Sequence, residues 1–287
     1  MEKQTAIQKI LHFFLTKIII GMLVLAGMIV FIEWFGRLLL DRTVMTDVFK
    51  NIIIAIADSA ISIVGYTLLF GQYENRNVTE LSLSAFGKNA AAGFATGILL
   101  QSLFIAVIYL AGGYAVTQIN AASYLLPAFA ASLTAGFVAE IIIMGIVFRL
   151  TEEKFGTVIT LITVTLLFAL LHVNAPGATI ISICATAAQA GLLLGAAYIF
   201  SRNLWLPIFL HFGWDFAEPG IFGGVNPGIH IQQHLFTSTI SGSPLLTGEQ
   251  SGPQNSIQGL ILCLLTGFSF LWLAKKKNNF VNPYWKK

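Results

Sequence analysis

Apolar positions run on without alternation for whole stretches of this chain, then give way to short polar breaks. Windows of this kind lie near 18–36, 52–71, 90–112, 123–148, 157–173, 178–200, 204–222 and 257–274. A helix needs about 20 mostly apolar residues to cross a bilayer. Continuous runs, rather than every-other-residue alternation, predict helices and not a barrel. The pattern therefore predicts an all-α polytopic membrane protein with about eight transmembrane helices. No soluble domain interrupts it, so 1–287 reads as a single membrane domain. The first apolar stretch outruns a secretory signal and lacks a small-x-small cleavage site, which predicts a retained anchor.

The polar breaks differ in kind. Residues 37–50 carry mixed charge and predict a short interfacial helix. Residues 223–256 are rich in Gly, Ser and Pro with almost no charge, and predict an outer loop. The first three windows look generic. The polar residues that need a reason fall in the fourth, fifth and seventh.

Composition strengthens this reading. Only 10% of residues are charged and 56% are hydrophobic, against about 25% charged in soluble domains. Lys and Arg are asymmetric. With the N-terminus in the cytoplasm, 13 of the 16 fall on inside segments; only Arg37, Arg42 and Lys50 fall outside. This predicts an integral protein of the plasma (inner) membrane with both termini cytoplasmic. The net charge of +3 then reflects topology, and no nucleic-acid partner is implied. The basic tail KKKNNFVNPYWKK is expected against anionic headgroups. Cys184 and Cys263 both fall inside windows and read as packing residues.

Ionisable groups at membrane depth are costly and mark function by default. The candidates are Asp58, Glu140, His172, His211 and Asp215. His211 and Asp215 stand four apart, which puts imidazole and carboxylate on one helix face. The acid fixes the imidazole tautomer, or both meet a third group. His172 lies at the end of its window, four residues after Phe168. Glu140 has no base one turn away, since Ile143 and Met144 stand there. It needs a partner on another helix, and His172 and His211 are available. Asp58, beside Ser59, either lines the cavity or bonds to a neighbouring helix, with packing the favoured reading. Arg149 is expected to pair with Glu152 or Glu153, or to reach headgroups. His230 and His234 stand four apart in the polar loop and read as surface residues.

These segments resemble the CPBP family of intramembrane metalloproteases, also called the CAAX-protease or Abi family. Its motifs run EExxxR, FxxxH, then HxxxN or HxxxD. Phe168–His172 matches the second and His211–Asp215 the third; the flanks GIVFRLTEEKFGT, AGLLLGAAY and NLWLPIFLHFGWDF fit as well. The resemblance spans about 85–225, a CPBP/CAAX-protease-like core. It implies a catalytic cavity between helices, with Glu140, His172, His211 and Asp215 as catalytic residues. It also implies a divalent metal, zinc first, held by Glu140, His172 and His211. The partners implied are the bilayer and a peptide or membrane-protein substrate.

Motif one departs from the family pattern. The paired glutamates fall on Ala139 and Glu140, and the arginine falls on Met144. Ala139 accepts no proton and binds no metal. Two outcomes follow: Glu140 takes over as the base of an endopeptidase, or the chain is an inactive relative serving as scaffold or peptide-immunity factor. A proton-coupled transporter is a third class, for which no inverted repeat is visible.

Overall fold

A computed structural model describes residues 12–174, 178–224 and 231–286. The protein is all-α, with helices at every predicted window. These are α1 (Phe14–Leu40), α2 (Asp47–Tyr73), α3 (Phe86–Leu110), α4 (Leu126–Glu140), α5 (Arg149–His172), α6 (Ile180–Thr186), α7 (Leu194–Ser201), α8 (Trp205–Asp215) and α9 (Ile257–Lys276). Six helical stretches among the described residues are long and apolar enough to cross a membrane. One of them, Ala122–His172, has 51 residues, far more than a single crossing needs. It turns at Gly156, whose φ of 78° breaks the helix. Residue 156 must lack a side chain for a second reason: a Cβ there would sit 2.7 Å from the Pro283 nitrogen.

Among the described residues three stretches are π-helical: Ile141–Phe148 after α4, Ala187–Leu193 between α6 and α7, and Phe216–Ile221 after α8. Such segments are rare and recur at functional sites. The first begins one residue past Glu140 and the third one residue past Asp215.

Glycines set how closely α8 is held. Gly93 and Gly97 on α3 form a G-x-x-x-G stripe against it. A Cβ on Gly93 would lie 2.5 Å from the Leu206 carbonyl, and one on Gly213 2.5 Å from the Phe94 carbonyl. On α4, Gly136 approaches the Ile208 carbonyl in the same way. Small residues let membrane helices pack backbone to backbone. The third window, read as generic, thus supports the helix that carries His211. The lipid side is equally legible: Leu23, Val30, Phe31 and Trp34 on α1 are exposed and apolar.

Other polar breaks differ from expectation. Residues 37–50 form no separate helix; α1 ends at Leu40, a turn follows, and α2 begins at Asp47. The segment predicted as an outer loop folds back onto the bundle in its described residues, 231–256. Its strand β2 (Phe236–Ile240) pairs antiparallel with β1 (Tyr114–Ile119), and residues 251–256 are buried. The tail is tied to protein: Asn279 Nδ2 donates to the carbonyls of Ile199 and Phe200, and Val281 N donates to Thr157 Oγ1 at 2.8 Å.

Candidate active site

Glu140 ends α4 and is 2% exposed. Its Oε1 lies 2.8 Å from His211 Nδ1. The other ring nitrogen, His211 Nε2, lies 3.3 Å from Asp215 Oδ2. One imidazole is therefore flanked by two carboxylates, one from its own helix and one from α4. The i,i+4 spacing and the close approach of α4 to α8 at Gly136 bring the three together. Glu140 Oε2 is buried with no hydrogen-bond partner, which leaves an acceptor to spare. Beside the pair lies a cavity of about 80 Å³, bordered by Gln189, His211, Trp214, Asp215 and Gln254. That is room for water.

His172 does not join this group. Its Nδ1 lies 2.9 Å from the Phe168 carbonyl, four residues back on α5. In that bond Nδ1–H donates, so Nε2 keeps its lone pair. Phe168 thereby supports His172 through its backbone. Ala139 stands about 100° around α4 from Glu140, off the face that meets His211. Met144 is wholly buried in the apolar core.

Zinc ligation by Glu140, His172 and His211 does not fit this arrangement. Among the described residues no group of three His, Cys, Asp or Glu could hold a metal ion. A ligating imidazole also needs a free lone pair on one nitrogen, and both nitrogens of His211 face carboxylates.

Residues 120–217 match the model of a family described as Rce1-like, type II CAAX prenyl endopeptidase. That segment is similar to the family over about a third of the chain. This agrees with the resemblance read from the motifs. The Rce1-like segment includes Ala139, Glu140, Met144, Phe168, His172, His211 and Asp215 and stops short of Glu218. No curated protein and no solved structure matches the chain.

Two further polar clusters bring in residues not singled out by sequence, Glu218 and Gln254 in one and Tyr66, Glu74, Arg76 and Glu80 in the other. Glu218, fully buried, accepts from Gln254 N at 3.1 Å, and Gln254 Oε1 accepts from Trp214 Nε1 at 2.6 Å. The signal was present: 211, 215 and 218 share the i, i+4, i+7 spacing of one helix face.

The second cluster surrounds Arg149, which is buried. It pairs with Glu153 at 2.6 Å, as expected, and also with Glu74 at 2.9 Å. Arg76 joins Glu74 at 2.7 Å and Glu80 at 2.6 Å, while Tyr66 Oη donates to Glu80. Glu152 instead pairs with Arg202 at 2.6 Å. Burial would raise the Glu74 carboxyl, but Arg149 and the hydrogen bonds from Arg76 and Lys17 hold it below its ordinary value. Burial likewise opposes Glu80, and the bonds from Arg76 and Tyr66 hold it down. This network clamps α2 and the loop after it to the base of α5. His230 lies outside the described residues.

Proposed function

We propose that the protein is a membrane-embedded endopeptidase that hydrolyses a peptide bond close to the bilayer, with Glu140 as base. The observation that carries the reading is the buried Glu140–His211–Asp215 relay inside an Rce1-like segment. Glu140 Oε2 takes a proton from water, and the hydroxide adds to the carbonyl carbon. The His211 N–H on the looser, Asp215 side turns to the oxyanion that forms. Glu140 then passes its proton to the departing amine as the C–N bond breaks. Water is consumed, and an acid and an amine result. Asp215 orients the ring, and the Glu140 contact keeps Nδ1 protonated. His172 stands apart from these steps.

The substrate is a peptide or a membrane-protein segment, entering between helices. Both termini on the cytoplasmic side is the orientation that the Lys and Arg distribution supports.

A second reading rests on Ala139 and on the closed set of contacts at His211. Both ring nitrogens are occupied, as in a polar pair that only holds helices together. The protein would then bind a peptide without cutting it.

Peptide N-termini, compared in membranes from cells making the protein and cells making His211→Ala at matched expression, separate the two. Cleavages present only with the unsubstituted chain support the endopeptidase. Identical sets of N-termini remove it and leave the binding protein.

A further inference from the structure

Two features have no place in the relay: the π-helical segment Ala187–Leu193 and the buried stretch 251–256. Both reach the small cavity beside His211. Gln189 comes from the first and Gln254 from the second, and both border the cavity together with His211 and Asp215.

The chemistry of their partners fixes how the two amides face. An indole N–H only donates, so the atom of Gln254 that meets Trp214 Nε1 at 2.6 Å is its oxygen. A backbone carbonyl only accepts, so the atom of Gln189 that meets the Gln254 carbonyl at 2.5 Å is its nitrogen. The Gln254 backbone N–H is taken as well, by Glu218 Oε1 at 3.1 Å. Among the described residues, Gln254 therefore keeps the N–H groups of Nε2 for a ligand, and Gln189 keeps the acceptor Oε1. Neither atom is sealed away unpartnered, so both remain reachable.

A neighbouring donor and acceptor are the complement of a peptide backbone, in which each unit carries one C=O and one N–H. Ala190, Leu193, Leu194 and Leu210 add apolar wall. At about 80 Å³ the space admits one small side chain, and such a wall favours carbon over charge. The amides are also held in place before any ligand arrives. Thr186 Oγ1 donates to Asn255 Oδ1 at 2.9 Å, next to the three bonds already made by Gln254. Polar groups fixed in advance lose little freedom on binding.

We propose that Gln189 and Gln254 hold the backbone of an extended peptide. Gln254 Nε2 donates to one of its carbonyls, Gln189 Oε1 accepts from one of its N–H groups, and a small apolar side chain of the peptide fills the cavity. That role rests on the reading that the site takes a peptide.

The test uses the full-length Glu140→Gln protein in detergent micelles, which binds without cutting, with calorimetry as the readout. The probes are acetyl-Leu-Ala-Leu-amide, its lysine-centred counterpart, and ester analogues of the first in which each internal N–H in turn is replaced by oxygen. The alanine-centred amide should bind saturably at about 1 mM or below, and the lysine-centred one at least about tenfold more weakly. One ester analogue should lose about tenfold. That loss should vanish when Gln189→Met is added, because the acceptor it depends on is gone. A glutamine that only supported the fold would not couple to one atom of the probe. Gln254→Met should weaken the amide about tenfold as well. Should a methionine variant not fold, the ester series on the Glu140→Gln chain decides.

Equal binding by the amide and every ester analogue overturns the proposal. So does an ester loss that persists with Gln189→Met, equal binding by Gln254→Met, or no binding of the alanine-centred amide. Such a failure, with His211-dependent cleavage intact in membranes, removes the backbone clamp and keeps the endopeptidase. Binding as expected with no cleavage in membranes keeps the clamp and removes the endopeptidase.

Discussion

Glu140 holds His211 more tightly than Asp215 does, at 2.8 Å on Nδ1 against 3.3 Å on Nε2. The closer contact comes from the neighbouring helix, so the relay depends on how α4 and α8 pack. The looser contact faces the small cavity, where a substrate oxygen would arrive.

Removing the base should remove the chemistry. Glu140→Gln keeps the side-chain shape and should lower cleavage at least about 100-fold. Asp215→Asn should cost less, because Glu140 still orients the ring. His172→Ala should cost less than about tenfold, since among the described residues His172 bonds its own helix. Rates on a cleaved peptide, with circular dichroism to check the fold, measure all three. A loss in His172→Ala as large as in Glu140→Gln would contradict the arrangement seen.

Cleavage should not depend on a bound divalent metal. Purified protein should contain well under one zinc per chain, and a chelator should leave the rate unchanged. Elemental analysis on the same sample that is assayed decides this. Stoichiometric zinc with chelator-sensitive cleavage would mean that His211 gives up a carboxylate contact.

The α3–α8 contact should tolerate no side chain. Gly93→Leu places atoms where the Leu206 carbonyl stands, and overpacking typically costs about 1–3 kcal/mol. The midpoint of thermal unfolding should fall, and cleavage should fall with it. Gly27→Leu is the control, because nothing lies within 4 Å of a Cβ there.

Acid should loosen the charged network. Glu74 and Glu80 sit below their ordinary value of 4.5 in the folded protein. A depressed carboxyl stabilises above its unfolded value and loses that contribution as pH falls through the folded value. Thermal stability should therefore hold from pH 7 to about 5 and fall below about 4.5. A Glu80→Gln variant should start lower and show a shallower fall. Melting curves between about pH 3 and 7 provide the check.

The helices were legible because lipid enforces continuous apolar runs, and each predicted window meets one. Glu140, His211 and Asp215 were legible because charge is rare at membrane depth. Their pairing across α4 and α8 was only half legible: spacing joins 211 to 215, but no local pattern joins either to 140. Tyr66, Glu74 and Glu80 stayed hidden for a different reason. Arg149, which joins the cluster, is distant in sequence, and Arg76, though close to Glu74 and Glu80, lies in the loop after α2, where polar residues look ordinary. The G-x-x-x-G at 93–97 is a local pattern, visible in the sequence and not used. The buried stretch 251–256 could not be seen, since its Ser, Gln and Asn residues are polar and find their partners only after folding.

The π-helical segment after Glu140 changes which residues are neighbours along that helix. With hydrogen bonds from i to i+5, one turn takes roughly 4.4 residues instead of 3.6. Position 144, where the family motif carries its arginine, no longer stacks on 140. Two wide turns instead bring 149 close to the same line, and 149 is an arginine. The extra residue works as a gear between the membrane-depth carboxylate and the charged clamp below it. Losing one residue from Ile141–Phe148 would turn everything downstream by about 100° and separate the two.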